Sequence, residues 1–95
     1  TYERSLGLLR RAKERRPALR TKTGLMLGLG EERAEVEATL RDIAAVGCDI
    51  VTLGQYLRPT PAQLPVERFL HPDEFGELGA LARGMGFRHV ESGPL

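Results

Sequence analysis

The chain has 95 residues, the size of one small domain with room for only a modest hydrophobic core. Its 14 Lys and Arg residues nearly balance its 13 Asp and Glu residues, so charge gives no reason to expect a nucleic-acid or membrane partner. No apolar run approaches the roughly 20 residues of a membrane-spanning helix. The single cysteine, Cys48, excludes an internal disulfide and favours a reducing compartment.

Apolar residues recur at helical spacing in three stretches, which predicts three amphipathic helices. These helices cover residues 2–15, 31–46 and 72–85. Pro17 disfavours helical geometry in the residue before it and so ends the first helix. Gly47 is a left-handed stop for the second helix, and Gly86 ends the third. Pro72 suits the first position of the third helix.

Three shorter stretches predict β-strands, because they are apolar or β-branched and lie between turn residues. They cover residues 21–28, 49–54 and 87–90. Strands that alternate with helices favour an α/β fold with a parallel sheet and right-handed crossovers. Three parallel strands can neither close a barrel nor cover both of their edges. Because the chain also opens on Thr1 rather than Met, we expect residues 1–95 to be a single incomplete domain of a longer protein.

Residues 55–71 show no periodicity and contain three prolines, Pro59, Pro61 and Pro65. This composition predicts an irregular connection. A long irregular segment in a compact domain is usually either functional or a linker.

The first strand is apolar on both faces, which is typical of a parallel sheet covered by helices. Gly28 and Gly30 then allow a sharp turn and a close approach of a ligand to the backbone. Glu31 and Glu32 follow, where the positive end of the next helix favours acidic side chains. Ligands of α/β sheets bind at the carboxyl ends of strands, which is where this turn lies.

A dinucleotide-binding turn is the first interpretation of Gly28 and Gly30, but the rest of that pattern is missing. The pattern needs a third glycine three residues later, where Arg33 stands. It also needs an acidic residue at the end of the next strand, whereas Asp49 lies at its start.

A second motif fits the same stretch. Gly24, Met26, Gly28 and Glu31 have the spacing of the Gly-x-Ile-x-Gly-x-x-Glu element on the fifth strand of radical S-adenosylmethionine (SAM) enzymes, with Met in place of Ile. Further segments follow in the order known from one family of these enzymes: Leu-Gly-Gln-Tyr-Leu-Arg-Pro-Thr, Leu-Pro-Val, Pro-Asp-Glu-Phe, Met-Gly-Phe and Ser-Gly-Pro-Leu. Over essentially its whole length the chain resembles the C-terminal part of the lipoyl synthase family. Thr23 stands where that family usually has Ser.

The resemblance implies that the chain supplies about three β/α units of a partial (β/α)6 barrel. It also implies a parent enzyme, a radical SAM sulfurtransferase, that inserts two sulfur atoms into protein-bound octanoyl-lysine to make the lipoyl cofactor. The expected cofactors of that parent are SAM and two [4Fe-4S] clusters. Its expected partners are an octanoylated lipoyl-carrier protein or domain and the rest of its own barrel, in a bacterial cytoplasm or a mitochondrion.

The family's cluster ligands have no counterparts among these residues. The resemblance implies three cysteines for one cluster, and three more cysteines with a serine for the other. Cys48 lies outside those positions and is expected to be a small buried residue. Ser92 is not the serine ligand, which follows Gly-Pro-Leu in the family. We therefore expect no metal ligand and no catalytic residue here, and no activity from the segment alone.

The resemblance also implies five cofactor-binding residues at the barrel's interior rim. Met26 shares strand parity with Gly24 and Gly28, so it can pack on the adenine ring of SAM while the glycines leave room. Gln55 and Tyr56 leave the second strand on the same rim, where a backbone amide and an aromatic ring can hold adenine. The loop after them can border the channel for the octanoyl chain.

Other polar residues are expected to be structural. Lys22 lies at the start of its strand, the stability end of such a barrel. His71 and His89 have no partner at metal-ligand spacing. Glu31 is expected to cap its helix. Two alternatives remain for the whole chain: a non-catalytic α/β module that binds a nucleotide or a partner through its glycine turn, and another sulfur-inserting radical SAM enzyme such as biotin synthase.

Overall fold

The computed structural model describes residues 2–16 and 20–93, with side chains from Leu6 onward. Three helices and three strands alternate along the chain: α1 (Tyr2–Arg15), β1 (Lys22–Leu27), α2 (Arg33–Ala45), β2 (Ile50–Gln55), α3 (Pro72–Arg83) and β3 (His89–Ser92). The predicted order of elements is therefore confirmed. Pro17, the predicted stop of the first helix, lies outside the described residues.

The strands form one sheet in the order β1-β2-β3, and both neighbouring pairs are parallel. In this register Met26 lies beside Gly54, and Leu53 lies beside Ser92. The α/β class and the parallel sheet predicted from the sequence are confirmed.

Several element boundaries differ from the prediction by one or two residues. The third strand was expected over residues 87–90 but spans His89–Ser92. Phe87 is buried in the core, and the pairing with β2 begins only at His89, whose amide donates to the Asp49 carbonyl together with that of Arg88. The second helix starts later than predicted because Glu32 is its N-cap. Gly47 has the expected left-handed φ of 82°.

One face of the sheet carries the hydrophobic core. Side chains of the strands, of α2 and of α3 meet there, with Leu6 and Leu9 of α1 packed against them. The core residues of the strands are Leu27, Val51, Leu53 and Val90, and those of the helices are Val36, Leu40, Ile43, Phe75, Leu78 and Ala82. On the other face Met26 remains 56% exposed, so the described elements cover the sheet on one side, not on both as the sequence suggested.

The amino edge of the sheet is held by the buried carboxylate of Asp49. It contacts Lys13 Nζ at 2.6 Å, accepts from the Thr21 amide at 2.9 Å and contacts Arg88 Nε at 3.2 Å. The Lys13 ammonium and the Thr21 amide lower the pKa of Asp49 from 3.8 to about 2. One side chain therefore joins α1 to the start of all three strands.

Candidate functional site

The turn after β1 is closed by its own acidic residue. The Glu31 carboxylate accepts hydrogen bonds from the Gly28 amide at 2.7 Å and from the Leu29 amide at 2.9 Å. Gly28 and Gly30 have φ values of 108° and 97°, which fold the chain back far enough for this contact. The expectation that Glu31 caps α2 was wrong, since the N-cap is Glu32, whose amide donates to Glu35 Oε1 at 3.1 Å.

Met26 lies on the uncovered face of the sheet, as the strand parity predicted. A side chain at Gly54 would approach its Cε within 3.3 Å, so the thioether lies over a neighbour that has no side chain. Both residues line an open cavity of about 600 Å³ at the carboxyl side of the sheet. Thr52, Glu91 and Ser92 also border this cavity. The arrangement places an exposed thioether beside a residue without a side chain, at the border of an open cavity.

Gly24 and Gly28 occupy different surroundings. A Cβ at Gly24 would lie 2.8 Å from the Thr52 hydroxyl, on the same exposed face as Met26. Gly28 is buried, and a Cβ there would lie 2.4 Å from both the Arg68 carbonyl and Gln55 Nε2. The space beside Gly28 that the sequence assigned to a ligand is therefore filled by protein atoms.

Gln55 ends β2 and is 7% exposed. Its Nε2 donates to the carbonyls of Arg68 at 2.9 Å and Tyr56 at 3.1 Å, and its Oε1 accepts from the Leu70 amide at 2.9 Å. Sequence reasoning considered only the rim position of this residue and missed its contacts. The available signal was its parity with Val51 and Leu53, which places a polar side chain on the buried face.

Tyr56 is half-buried and held at both ends. Its amide donates to the Leu27 carbonyl at 2.7 Å, and its hydroxyl donates to the Leu64 carbonyl at 2.6 Å. The Tyr56 amide therefore joins the ends of β1 and β2. Met26 and Gln55 share the 600 Å³ cavity, whereas among the described residues Tyr56, Gly24 and Gly28 lie outside its lining.

Residues 56–71 form the predicted irregular connection, without helix or strand in this described stretch. Leu57, Leu64 and Phe69 are exposed along it, at 50%, 68% and 68%. The connection ends at α3, where Arg68 contacts Glu74 at 2.7 Å. This contact and the His71 amide lower the pKa of Glu74 to about 2.

The remaining candidate residues have structural surroundings. Cys48 is buried, and its Sγ lies 3.3 Å from the Ile50 carbonyl. His71 caps α3 by accepting from the Asp73 amide at 3.1 Å, while His89 lies 3.1 Å from Glu91 on the surface. Lys22 is exposed. Within residues 2–16 and 20–93, no group of three His, Cys, Asp or Glu side chains is placed to hold a metal ion.

Similarity to known proteins covers the whole chain. All 95 residues align with 32% of Lipoyl synthase 2 from Parasynechococcus marenigrum at 61% identity, and with 33% of Lipoyl synthase 2 from Thermosynechococcus vestitus at 56%. Lipoyl synthase from Nitrosococcus oceani is 58% identical over 94 residues, which are 99% of this chain and 29% of that protein. No protein-family model matches, and no helix in the described part of the chain is long and apolar enough to cross a membrane. The chain spans about one third of the length of these relatives, and over that length it belongs to the lipoyl synthase family.

Proposed function

We propose that this chain is the C-terminal part of a lipoyl synthase and forms part of the wall that binds SAM. The observation that carries the proposal is the position of Met26: an exposed thioether beside Gly54, bordering an open cavity, in a chain 61% identical to a named lipoyl synthase. The parent enzyme would insert two sulfur atoms into protein-bound octanoyl-lysine.

In this proposal residues 1–95 are one incomplete domain, about three β/α units of a partial (β/α)6 barrel. The core lies on the helix-covered face, so the uncovered face with Met26 and Gly24 would be the barrel interior. In such barrels, ligands meet the carboxyl ends of the strands. Within the described residues β1 and β3 each pair with β2 alone, which leaves their outer edges free to pair with further strands.

The proposed cofactor role of each residue follows from its surroundings. Met26 would pack its polarizable thioether on the adenine ring, since sulfur contacts aromatic rings favourably. Gly24 and Gly54 keep the adjacent surface flat. Gln55, Tyr56 and Gly28 would fix the rim of the site through the contacts described above. SAM, when bound, would supply the radical that removes hydrogen from the octanoyl chain.

The described residues do not fit an iron–sulfur cluster. Cys48 is buried against backbone carbonyls, and the described side chains contain no metal-binding group. We therefore assign the ligands of both [4Fe-4S] clusters to other parts of the parent protein.

The proposed protein partner is an octanoylated lipoyl-carrier protein or domain. The connection after β2 exposes Leu57 and Leu64 beside the carboxyl ends of the strands, where an aliphatic chain could lie. We place the reaction in a bacterial cytoplasm or a mitochondrion, as the family resemblance implies.

The alternative of a nucleotide-binding module is disfavoured by the turn itself. Adjacent backbone amides in a glycine turn can bind phosphate. In this chain the Gly28 and Leu29 amides already donate to Glu31, so the protein's own carboxylate occupies that place. The relatives named above are lipoyl synthases rather than biotin synthases.

A chimaera tests the proposal. This chain replaces the matching third of Lipoyl synthase 2 from P. marenigrum, and the product is prepared anaerobically with its clusters reconstituted. We expect the chimaera to convert an octanoyl-lysine peptide to the lipoyl product at a rate within about tenfold of that of the unaltered enzyme, as measured by mass spectrometry. A tenfold difference in rate corresponds to about 1.4 kcal/mol. The equivalent segment of the T. vestitus relative is the control for the exchange. A chimaera that folds and holds its clusters but neither binds nor cleaves SAM would contradict the proposal.

A further inference from the structure

The segment from Glu67 to Leu70 returns to the carboxyl ends of β1 and β2 after the loop. The Gly28 carbonyl accepts from the Glu67 amide at 2.7 Å and from the Arg68 amide at 3.2 Å. The Gln55 side chain bonds the Arg68 carbonyl and the Leu70 amide. The ends of β1 and β2 therefore both hydrogen-bond this short segment. The chain after β1 does so through the Gly28 carbonyl, and β2 does so through the buried carboxamide of Gln55.

Gln55 is well suited to this contact because a carboxamide both donates and accepts hydrogen bonds. Its NH₂ group faces two carbonyl oxygens, and its oxygen faces one amide. A carboxylate of the same shape could only accept. Gly28 completes the fit, since a side chain there would collide with Gln55 Nε2 and the Arg68 carbonyl at 2.4 Å.

The same carboxamide fixes Tyr56. Three atoms of this tyrosine are held: the amide by the Leu27 carbonyl, the carbonyl by Gln55 Nε2 and the hydroxyl by the Leu64 carbonyl. Release of Gln55 would therefore free both the returning segment and the start of the loop.

We propose that Gln55 is a positioning residue that fastens residues 67–70 to the strand ends and thereby holds Tyr56 at the SAM-binding rim. This inference rests on the proposed function and adds to it a role for a side chain whose oxygen and nitrogen both bond other parts of the protein. The loop of residues 57–66, called the strap below, is then held in place at both of its ends.

The test compares two variants of the chimaera with the same change of charge. Gln55→Glu removes the two donated hydrogen bonds at pH 8. Gln63→Glu makes the same change on the exposed part of the strap. SAM affinity is measured by equilibrium dialysis well below the melting temperature, and trypsin cleavage after Arg68 reports the returning segment. We expect Gln55→Glu to bind SAM about tenfold more weakly or worse and to be cleaved about tenfold faster, with its cluster content retained. Gln63→Glu should match the parent.

A purely structural role would lower the melting temperature but leave SAM affinity unchanged in the folded protein, and that result would overturn the proposal. So would an unchanged cleavage rate after Arg68. If Gln55→Glu does not fold, amide hydrogen exchange of the parent chimaera tests whether residues 67–70 are fastened. The Glu67, Arg68 and Leu70 amides must then exchange more slowly than the amides of residues 57–66, and equal rates would refute the fastening. Should the parent chimaera bind no SAM, the proposed function fails, while cleavage and exchange still test the Gln55 contacts.

Discussion

Two buried polar side chains hold opposite edges of the sheet. The Asp49 carboxylate contacts Lys13, the Thr21 amide and Arg88 at the amino edge. The Gln55 carboxamide bonds the Arg68 carbonyl and the Leu70 amide at the carboxyl edge. Each therefore joins parts of the chain that are distant in sequence.

Asp49 provides a pH-dependent prediction. Its pKa in the folded protein is about 2, below its ordinary value of 3.8. Its stabilising effect is therefore complete above about pH 4 and is lost as the pH falls through 2. In the cluster-free chimaera, Asp49→Asn should lower the free energy of unfolding by about 2 kcal/mol at pH 6 and flatten the loss of stability between pH 4 and pH 2.

Urea unfolding at a series of pH values measures both effects of Asp49→Asn. Glu14→Gln, which neutralises an exposed carboxylate on α1, is the control and should change stability little. An Asp49→Asn protein with the parent's stability at pH 6 would contradict the role given to the contacts with Lys13 and Thr21.

Parity along a strand could be predicted from the sequence, but contacts between residues distant in sequence could not. Alternation correctly placed Gly24 and Met26 on one exposed face of β1, whereas Gly28, expected on the same face, is buried. The contacts of Gln55 depend on a chain that returns 13 and 15 residues later, at Arg68 and Leu70. No local pattern predicts that return, because loop paths are set by packing rather than by periodicity.

At the scale of elements, the order and type of every helix and strand could be predicted, because three amphipathic stripes and three apolar runs are well separated. Boundaries could not be placed as well. The N-terminus of α2 depends on whether Glu31 or Glu32 serves as its cap, and Glu31 is engaged by the Gly28 and Leu29 amides instead. Either glutamate satisfies a sequence rule, so the choice is made by the geometry of the turn.

Alanine substitutions at two glycines should change stability in opposite directions. Gly28→Ala should cost about 2–3 kcal/mol, since Gly28 has a φ of 108° and a Cβ there would collide with neighbouring atoms at 2.4 Å. Gly76→Ala, at an exposed site in α3 with no atom within 4 Å of the added Cβ, should stabilise by roughly 1 kcal/mol. Urea midpoints of the two chimaera variants measure the difference. Equal midpoints would show that the turn is not constrained as described.

At the scale of the whole molecule, the sheet has a covered face and an open face. The covered face holds the core, whereas the open face carries Gly24 and Met26, of which Met26 borders the 600 Å³ cavity. A sheet with one bare face fits a segment whose relatives are about three times as long. We propose that this open face is the side of the sheet that binds SAM.

The most direct measurement compares Met26→Asp with Leu27→Asp in the chimaera. Leu27 is 3% exposed and faces the core, so an unpaired charge there should cost several kcal/mol and unfold the protein. Met26 is 56% exposed, so Met26→Asp should stay folded with its clusters. It should nevertheless lose SAM binding about a hundredfold or more, because bound adenine would desolvate the carboxylate. SAM binding by folded Met26→Asp at the parent affinity would contradict the assignment of the open face to the cofactor.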